Sequence, residues 1–179
     1  MRKVGICLIL LAMVFVADSA YAQGMKASGI YIGGAVGSGN LKTQAGLFDG
    51  SAVAWKGIVG FRSKFFALEA DYRDMGAIKA AGIASGLKNK TKGFQTSGLL
   101  ILPIGPVDVY ARGGAFFWKN KTTLGSGNID AELSGTDFGW GGGLGFRLGS
   151  FGIRAEYEKA EISELNKPWM ATFGATIAF

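Results

Sequence analysis

Residues 151–159 read FGIRAEYEK. Ile153, Ala155 and Tyr157 share one side of an extended chain, and Arg154, Glu156 and Glu158 share the other. Successive strand side chains point to opposite faces, so this period of two predicts a β-strand with one face in an apolar medium. The stretch carries an intact charged face and an intact apolar face. The question for the rest of the chain is which of them points outward.

The pattern recurs. Eight strands are expected: Gly29–Ser38, Ser51–Phe61, Phe65–Met75, Gly93–Leu102, Val107–Trp118, Thr136–Leu148, Phe151–Lys159 and Pro168–Phe179. Their lengths cluster near the roughly 9–11 residues that a tilted strand needs to cross a bilayer. In the second, Val53, Trp55, Gly57, Val59 and Phe61 oppose Lys56 and Arg62; in the third, Phe66, Leu68, Ala70 and Tyr72 oppose Glu69, Asp71 and Arg73. In the sixth, Phe138, Trp140, Leu144 and Phe146 oppose a run of glycines ending at Arg147.

The links alternate too. Arg62–Lys64, Pro103–Pro106 and Gly149–Ser150 are tight, whereas Gly39–Gly50, Gly76–Lys92, Lys119–Gly135 and Ala160–Lys167 are longer. An up-and-down meander with its tight turns at one end and its long loops at the other gives that rhythm, as in barrels with short periplasmic turns and longer external loops. A soluble lipocalin-like barrel shares the period with its apolar face inside. Size decides between them, because an eight-stranded barrel has an interior just wide enough to be filled by side chains. The rings of Trp55, Phe61, Phe66, Tyr72, Phe94, Phe117, Phe138, Trp140, Phe146, Tyr157, Trp169, Phe173 and Phe179 would crowd such a lumen and fit around its outside. Aromatics also gather towards both strand ends, like the two girdles of membrane barrels. The fold expected is therefore all-β, an eight-stranded antiparallel up-and-down transmembrane barrel.

The front end agrees with export. Arg2 and Lys3 precede an apolar run, Val4–Ala17, and Ala20-Tyr21-Ala22 supplies small residues for cleavage. The run is shorter than the roughly 20 residues of a spanning helix, so 1–22 is read as a cleaved signal peptide and 23–179 as the barrel domain. The single cysteine, Cys7, lies in that leader, which leaves the mature chain without disulfide or thiolate chemistry. The net charge of +6 includes no block of like charges that would make a nucleic-acid arm.

These features resemble the eight-stranded outer-membrane barrels typified by the OmpA transmembrane domain, with the opacity-protein-like barrels as relatives. The resemblance rests on the leader, the strand and loop rhythm, the Arg154-Ala155-Glu156-Tyr157-Glu158 stretch and the final strand ending in Phe179. It covers the chain expected after cleavage and implies residence in the outer membrane, beside its lipids and lipopolysaccharide. No peptidoglycan-binding domain of the OmpA kind follows Phe179 in this sequence, so its tethering role is not carried over. The family also implies that an aromatic final strand, here Trp169, Phe173, Ile177 and Phe179, is read by the barrel-assembly machinery.

Three sets of residues are candidates for function. Lys56, Glu69, Asp71, Arg112, Arg154, Glu156 and Glu158 are expected to point inward as an interior polar cluster. Buried charges are costly unless paired, so a salt-bridged plug is the expectation and a proton path or small-solute channel the alternative. In the second long link, Lys79, Lys88, Lys90 and Lys92 could meet lipopolysaccharide phosphates or host polyanions, and Ile78, Ile83 and Leu87 could give it a short helical turn. The third set is the C-terminal signal just described.

No enzyme is expected. Barrel hydrolases and acyltransferases rely as families on histidine, which titrates near neutral pH, and this chain has none. Glu69 and Asp71 are closer to an ion-paired interior than to a glycosidase pair, and no metal or cofactor motif is visible. The Gly139-Trp140-Gly141-Gly142-Gly143 run lacks the Lys-Ser/Thr ending of a phosphate loop, and glycines there would relieve crowding within the wall.

Overall fold

The computed structural model describes residues 28–42, 49–79, 87–124, 131–162 and 167–179. The expected leader and Ile83 lie outside them. Eight strands follow in order: β1 (Gly29–Lys42), β2 (Asp49–Arg62), β3 (Phe66–Lys79), β4 (Leu87–Ile104), β5 (Val107–Leu124), β6 (Ala131–Leu148), β7 (Phe151–Ala160) and β8 (Trp169–Ala178). Each pairs antiparallel with the next, and β8 returns to β1 from Tyr31↔Ala178 to Asn40↔Trp169, closing the barrel. Closure gives every strand a neighbour on both sides, which hydrocarbon demands because no water is there to satisfy a free backbone group.

Two of the tight turns are two residues long, Gly105-Pro106 and Gly149-Ser150. Gly105 and Gly149 have φ near 60°, a left-handed conformation that costs glycine nothing and lets a right-twisted hairpin close.

The faces are inverted relative to a water-soluble protein. Val53 is 78% exposed and Leu100 75%, whereas Lys56 and Asp71 are each 1% exposed. The apolar face of every strand looks outward, and charge lies inside. Aromatic rings form two outward belts. Phe61, Phe65, Phe66, Phe146, Phe151 and Phe179 lie at the turn end; Trp55, Tyr72, Phe94, Phe117, Trp140 and Tyr157 lie towards the other, with Trp169 stacked on Tyr157 at 5.7 Å.

Three strands run well past their expected limits. β4, β5 and β6 each have 18 residues, against 10 in β7 and β8. At about 3.3 Å per residue the long strands cover roughly 60 Å, twice a hydrocarbon core even before tilt is allowed for. Segments 39–42, 49–50, 76–79, 87–92, 119–124 and 131–135, expected as loop, are strand. Ile78 and Leu87 accordingly pair in sheets, Ile78 with Asn89 and Leu87 with Leu124, and form no helical turn. The reason is solvent. Beyond the bilayer the outward face no longer needs to be apolar, so the ladder continues while the hydrophobic alternation stops.

Candidate functional site: charged interior and lysine rim

All seven residues of the expected interior cluster are buried, and the barrel brings them into one network. Arg112 of β5 is its centre. Its Nη2 lies 2.6 Å from Asp71 Oδ2, and its Nη1 lies 3.0 Å from Glu158 Oε1 and 3.3 Å from both Glu69 Oε2 and Glu156 Oε1. Below it, Arg154 Nη1 donates to Glu69 Oε1 at 2.6 Å, its Nη2 pairs with Glu156, and its Nε donates to the Tyr110 hydroxyl at 3.1 Å. Tyr31 of β1 donates its hydroxyl to Glu69 of β3, its ring lying over Gly60 of the strand between them. Above it, the Lys56 ammonium lies between Glu156, at 2.6 Å, and Glu158.

Seven residues carry three cations against four carboxylates, and the eighth member restores neutrality. Arg73 donates from Nε to Asp71 Oδ1 at 2.7 Å and from Nη2 to Glu158 Oε1 at 3.1 Å. Strand parity had already placed Arg73 on the charged face. Tyr31, Tyr110, Ser97 and Gln95, the neutral groups that complete the network, carry no charge pattern to betray them.

A second ionic layer lies at the turn end. Asp108 receives a two-pronged guanidinium from Arg62, at 2.8 and 3.0 Å, and a second from Arg147, at 2.7 and 3.2 Å. Towards the other end the chemistry changes to an apolar cluster of Ala54, Met75, Phe116, Trp118, Ala160, Ile162 and Met170. Arg73 stacks its guanidinium 5.3 Å from the Phe116 ring and so joins the two layers. Beyond the apolar cluster, Asn89 and Asn120 exchange side-chain hydrogen bonds of 3.1 and 2.7 Å.

The bulk of these side chains explains the glycines of β6. Gly139, Gly141, Gly143 and Gly145 alternate along its inner face, and a Cβ on Gly143 would lie 2.6 Å from the Tyr110 hydroxyl oxygen. One on Gly139 would lie 2.8 Å from Gln95 Oε1. Missing side chains on one strand make room for long ones on its neighbours.

The four lysines expected on a loop are strand residues. Lys79 ends β3 opposite Lys88, and Lys88, Lys90 and Lys92 lie along β4. Lys90 and Lys92 point outward and reach Asp74 Oδ2 at 2.9 and 3.5 Å. Their register partners on β5 are Lys121 and Lys119, which reach Glu132 at 2.9 and 3.6 Å. The lysine pair of β5 carries no strand signal in the sequence because apolar alternation stops at Trp118, although β5 runs on to Leu124. Of the expected C-terminal residues, Trp169, Phe173 and Ile177 sit on β8 and Phe179 directly follows it; Phe173, Ile177 and Phe179 are exposed on the outer wall, and Phe179 donates its backbone N–H to the Ile30 carbonyl at 2.9 Å.

A closed antiparallel barrel with its apolar face outward and its charges inward defines an integral β-barrel membrane protein. The model of the outer membrane protein beta-barrel domain matches residues 8–179, and the chain belongs to that family. The family places it in the outer membrane. Among solved structures it is similar to Neisserial surface protein A (NspA), with a TM-score of 0.71 at 17% identity over 86% of this chain and 99% of that one. It is likewise similar to Ail, the attachment invasion locus protein of Yersinia pestis, in complex with the heparin analogue sucrose octasulfate, with a TM-score of 0.63 at 17% identity over 86% and 100%. The N-terminal β-barrel domain of Pseudomonas aeruginosa OprF gives 0.61 at 15% identity over 88% and 100%. At these identities the likeness is one of fold. No curated protein matches the chain.

Proposed function

We propose that this protein is a structural and surface-interaction component of the outer membrane, exported by a leader cleaved after Ala22, with a lumen closed to solutes. The observation that carries the closed lumen is the balanced set of four buried cations and four buried carboxylates, each paired across the interior. Buried charges hold one another tightly in a low dielectric, and a path for ions would have to break several pairs at once. Planar-bilayer recording of the folded protein tests this reading. Silence is the expected result; a large, stable, ion-selective conductance would replace it with a small-solute channel.

Interaction is assigned to the end of the barrel that carries Lys88, Lys90 and Lys92, as a surface for polyanions. Ail, a neighbour in fold, has been solved with a sulfated heparin analogue, which supports this reading. Binding to immobilised heparin or lipopolysaccharide should weaken when the three lysines are replaced by glutamine, and unchanged binding would remove the assignment. Catalysis forms no part of the proposal.

A further inference from the structure

Between the turn-end ionic layer and the central network lies a cavity of about 70 Å³. Arg62, Asp108 and Arg147 line it from the first layer, and Glu69 and Arg154 from the second. Ser28 and the Gly149-Ser150 turn line it as well, so it reaches the mouth of the barrel at the turn end, the periplasmic end in this architecture. At about 30 Å³ per water molecule it has room for two waters, or for one small ligand of that bulk.

Crowding does not account for the space. Gly139 and Gly143 of β6 are bare because a Cβ would strike a neighbour at 2.8 or 2.6 Å. Gly145 is different. It stands in register with Asp108 of β5 and with Arg154 of β7, between the carboxylate of one layer and the guanidinium of the other. A Cβ there would lie 3.6 Å from Asp108 Cβ and 3.7 Å from its Oδ2, both ordinary contact distances. A small side chain would fit, and the sequence leaves the position empty.

The lining is short of an acceptor. Asp108 already takes four N–H bonds from Arg62 and Arg147, and Glu69 takes two from Arg154 and one from the Tyr31 hydroxyl. Arg62 Nε, by contrast, is buried and has no hydrogen-bond partner among the described residues. A buried donor without an acceptor is costly, and the strongest acceptor for a guanidinium is an anionic oxygen. Arg147, which has contacts beyond Asp108, holds that carboxylate from the other side. Ser150 and Thr176 add hydroxyls to the lining, and a hydroxyl rotates to donate to an incoming oxygen.

We infer that this chamber is a binding site for a small carboxylate, of formate or acetate size, which enters from the turn end and accepts from Arg62 Nε. The orphaned donor selects an anion, and the volume selects a small one. A carboxylate suits it because one oxygen can serve the guanidinium while the other serves a hydroxyl. The ligand stops at Glu69 and Arg154, so the site is a blind chamber and leaves the closure of the lumen as it stands.

Proton–nitrogen correlation spectra of the folded, nitrogen-labelled protein in detergent micelles test the site through the Arg62 Nε–H resonance, assigned by its loss in R62K. Sodium acetate, sodium chloride and sodium benzoate are the probes, at matched ionic strength. In the wild type acetate moves the resonance saturably. Chloride does not, and neither does benzoate, which has the same charge and is too large for the chamber. G145A narrows the chamber through ordinary contacts alone and weakens the acetate response by about tenfold in concentration. A shift linear in acetate, or one equalled by chloride, means that water satisfies the donor and overturns the inference. A saturable shift that G145A leaves unchanged puts the acetate elsewhere and overturns it too. Heat-modifiable migration establishes that each variant is folded. Should R62K not fold, the backbone N–H resonances of Gly145 and Gly152, both on the lining, carry the same reading in the wild type and G145A, and their failure to saturate with acetate overturns the site.

Discussion

At the scale of the residue, Arg112 carries more of the interior than any neighbour, because it alone reaches Glu69, Asp71, Glu156 and Glu158. R112M would leave those carboxylates with three cations and no route to water. Breaking a buried pair from one side costs about 3–5 kcal/mol, whereas removing both partners is far less damaging. Urea unfolding in lipid vesicles should therefore show a large loss for R112M and a smaller one for R112M/E158Q. Additive losses would mean the network is a set of independent pairs. Steric fit is testable beside it. G143A places a Cβ against Tyr110 and should cost about 1–3 kcal/mol by overpacking, part of which Y110L restores. G98A, pointing into open space, is its neutral control.

At the scale of the element, the sequence signal was only as long as the bilayer is thick. In β4, Phe94, Thr96, Gly98 and Leu100 look outward to lipid and announce a strand; Lys90 and Lys92 continue the same face in an aqueous setting and read as loop. The barrel, its strand order and its inward charges were legible because hydrocarbon enforces alternation at every step. Arg73 was missed as a cluster member because it lies near the expected end of its strand, and Asp108 because its partners Arg62 and Arg147 meet only when the barrel closes. The β7–β8 link supplies a pH-dependent contact. Glu161 accepts from Lys167 Nζ at 2.8 Å and from Trp140 Nε1 at 2.9 Å, and these hydrogen bonds, the lysine's first, hold its carboxyl below the usual glutamate range. A lowered carboxyl keeps its contact above the ordinary value of about 4.3 and loses it as pH falls through the folded one. The difference in tryptophan emission between wild type and E161Q should thus be present at neutral pH and vanish in acid; a difference that persists in acid would contradict the contact. The closing strand makes its own prediction. Deleting Phe179 removes the backbone bond to Ile30 and the last outward ring, so the heat-modifiable, membrane-inserted fraction should fall, and an undiminished fraction would deny β8 its assembly role.

At the scale of the whole molecule, the proposed closure of the lumen would consist of two barriers of unlike chemistry in series. On that proposal the ionic network between β2, β3, β5 and β7 opposes ions by holding their counter-charges in pairs, and the cluster of Met75, Phe116, Trp118, Ile162 and Met170 opposes them by excluding water. Barriers in series fail only together. R112S/E158S should loosen the first and stay silent in planar bilayers, because the apolar cluster remains dry. F116A/M170A should thin the second and also stay silent, because Arg73 and Lys56 keep their partners. The two changes combined should yield stable single-channel openings with a conductance that falls when the apolar side chains are restored. Openings in R112S/E158S alone would show that the ionic network is the whole closure, and the apolar layer would then be packing without a gating role.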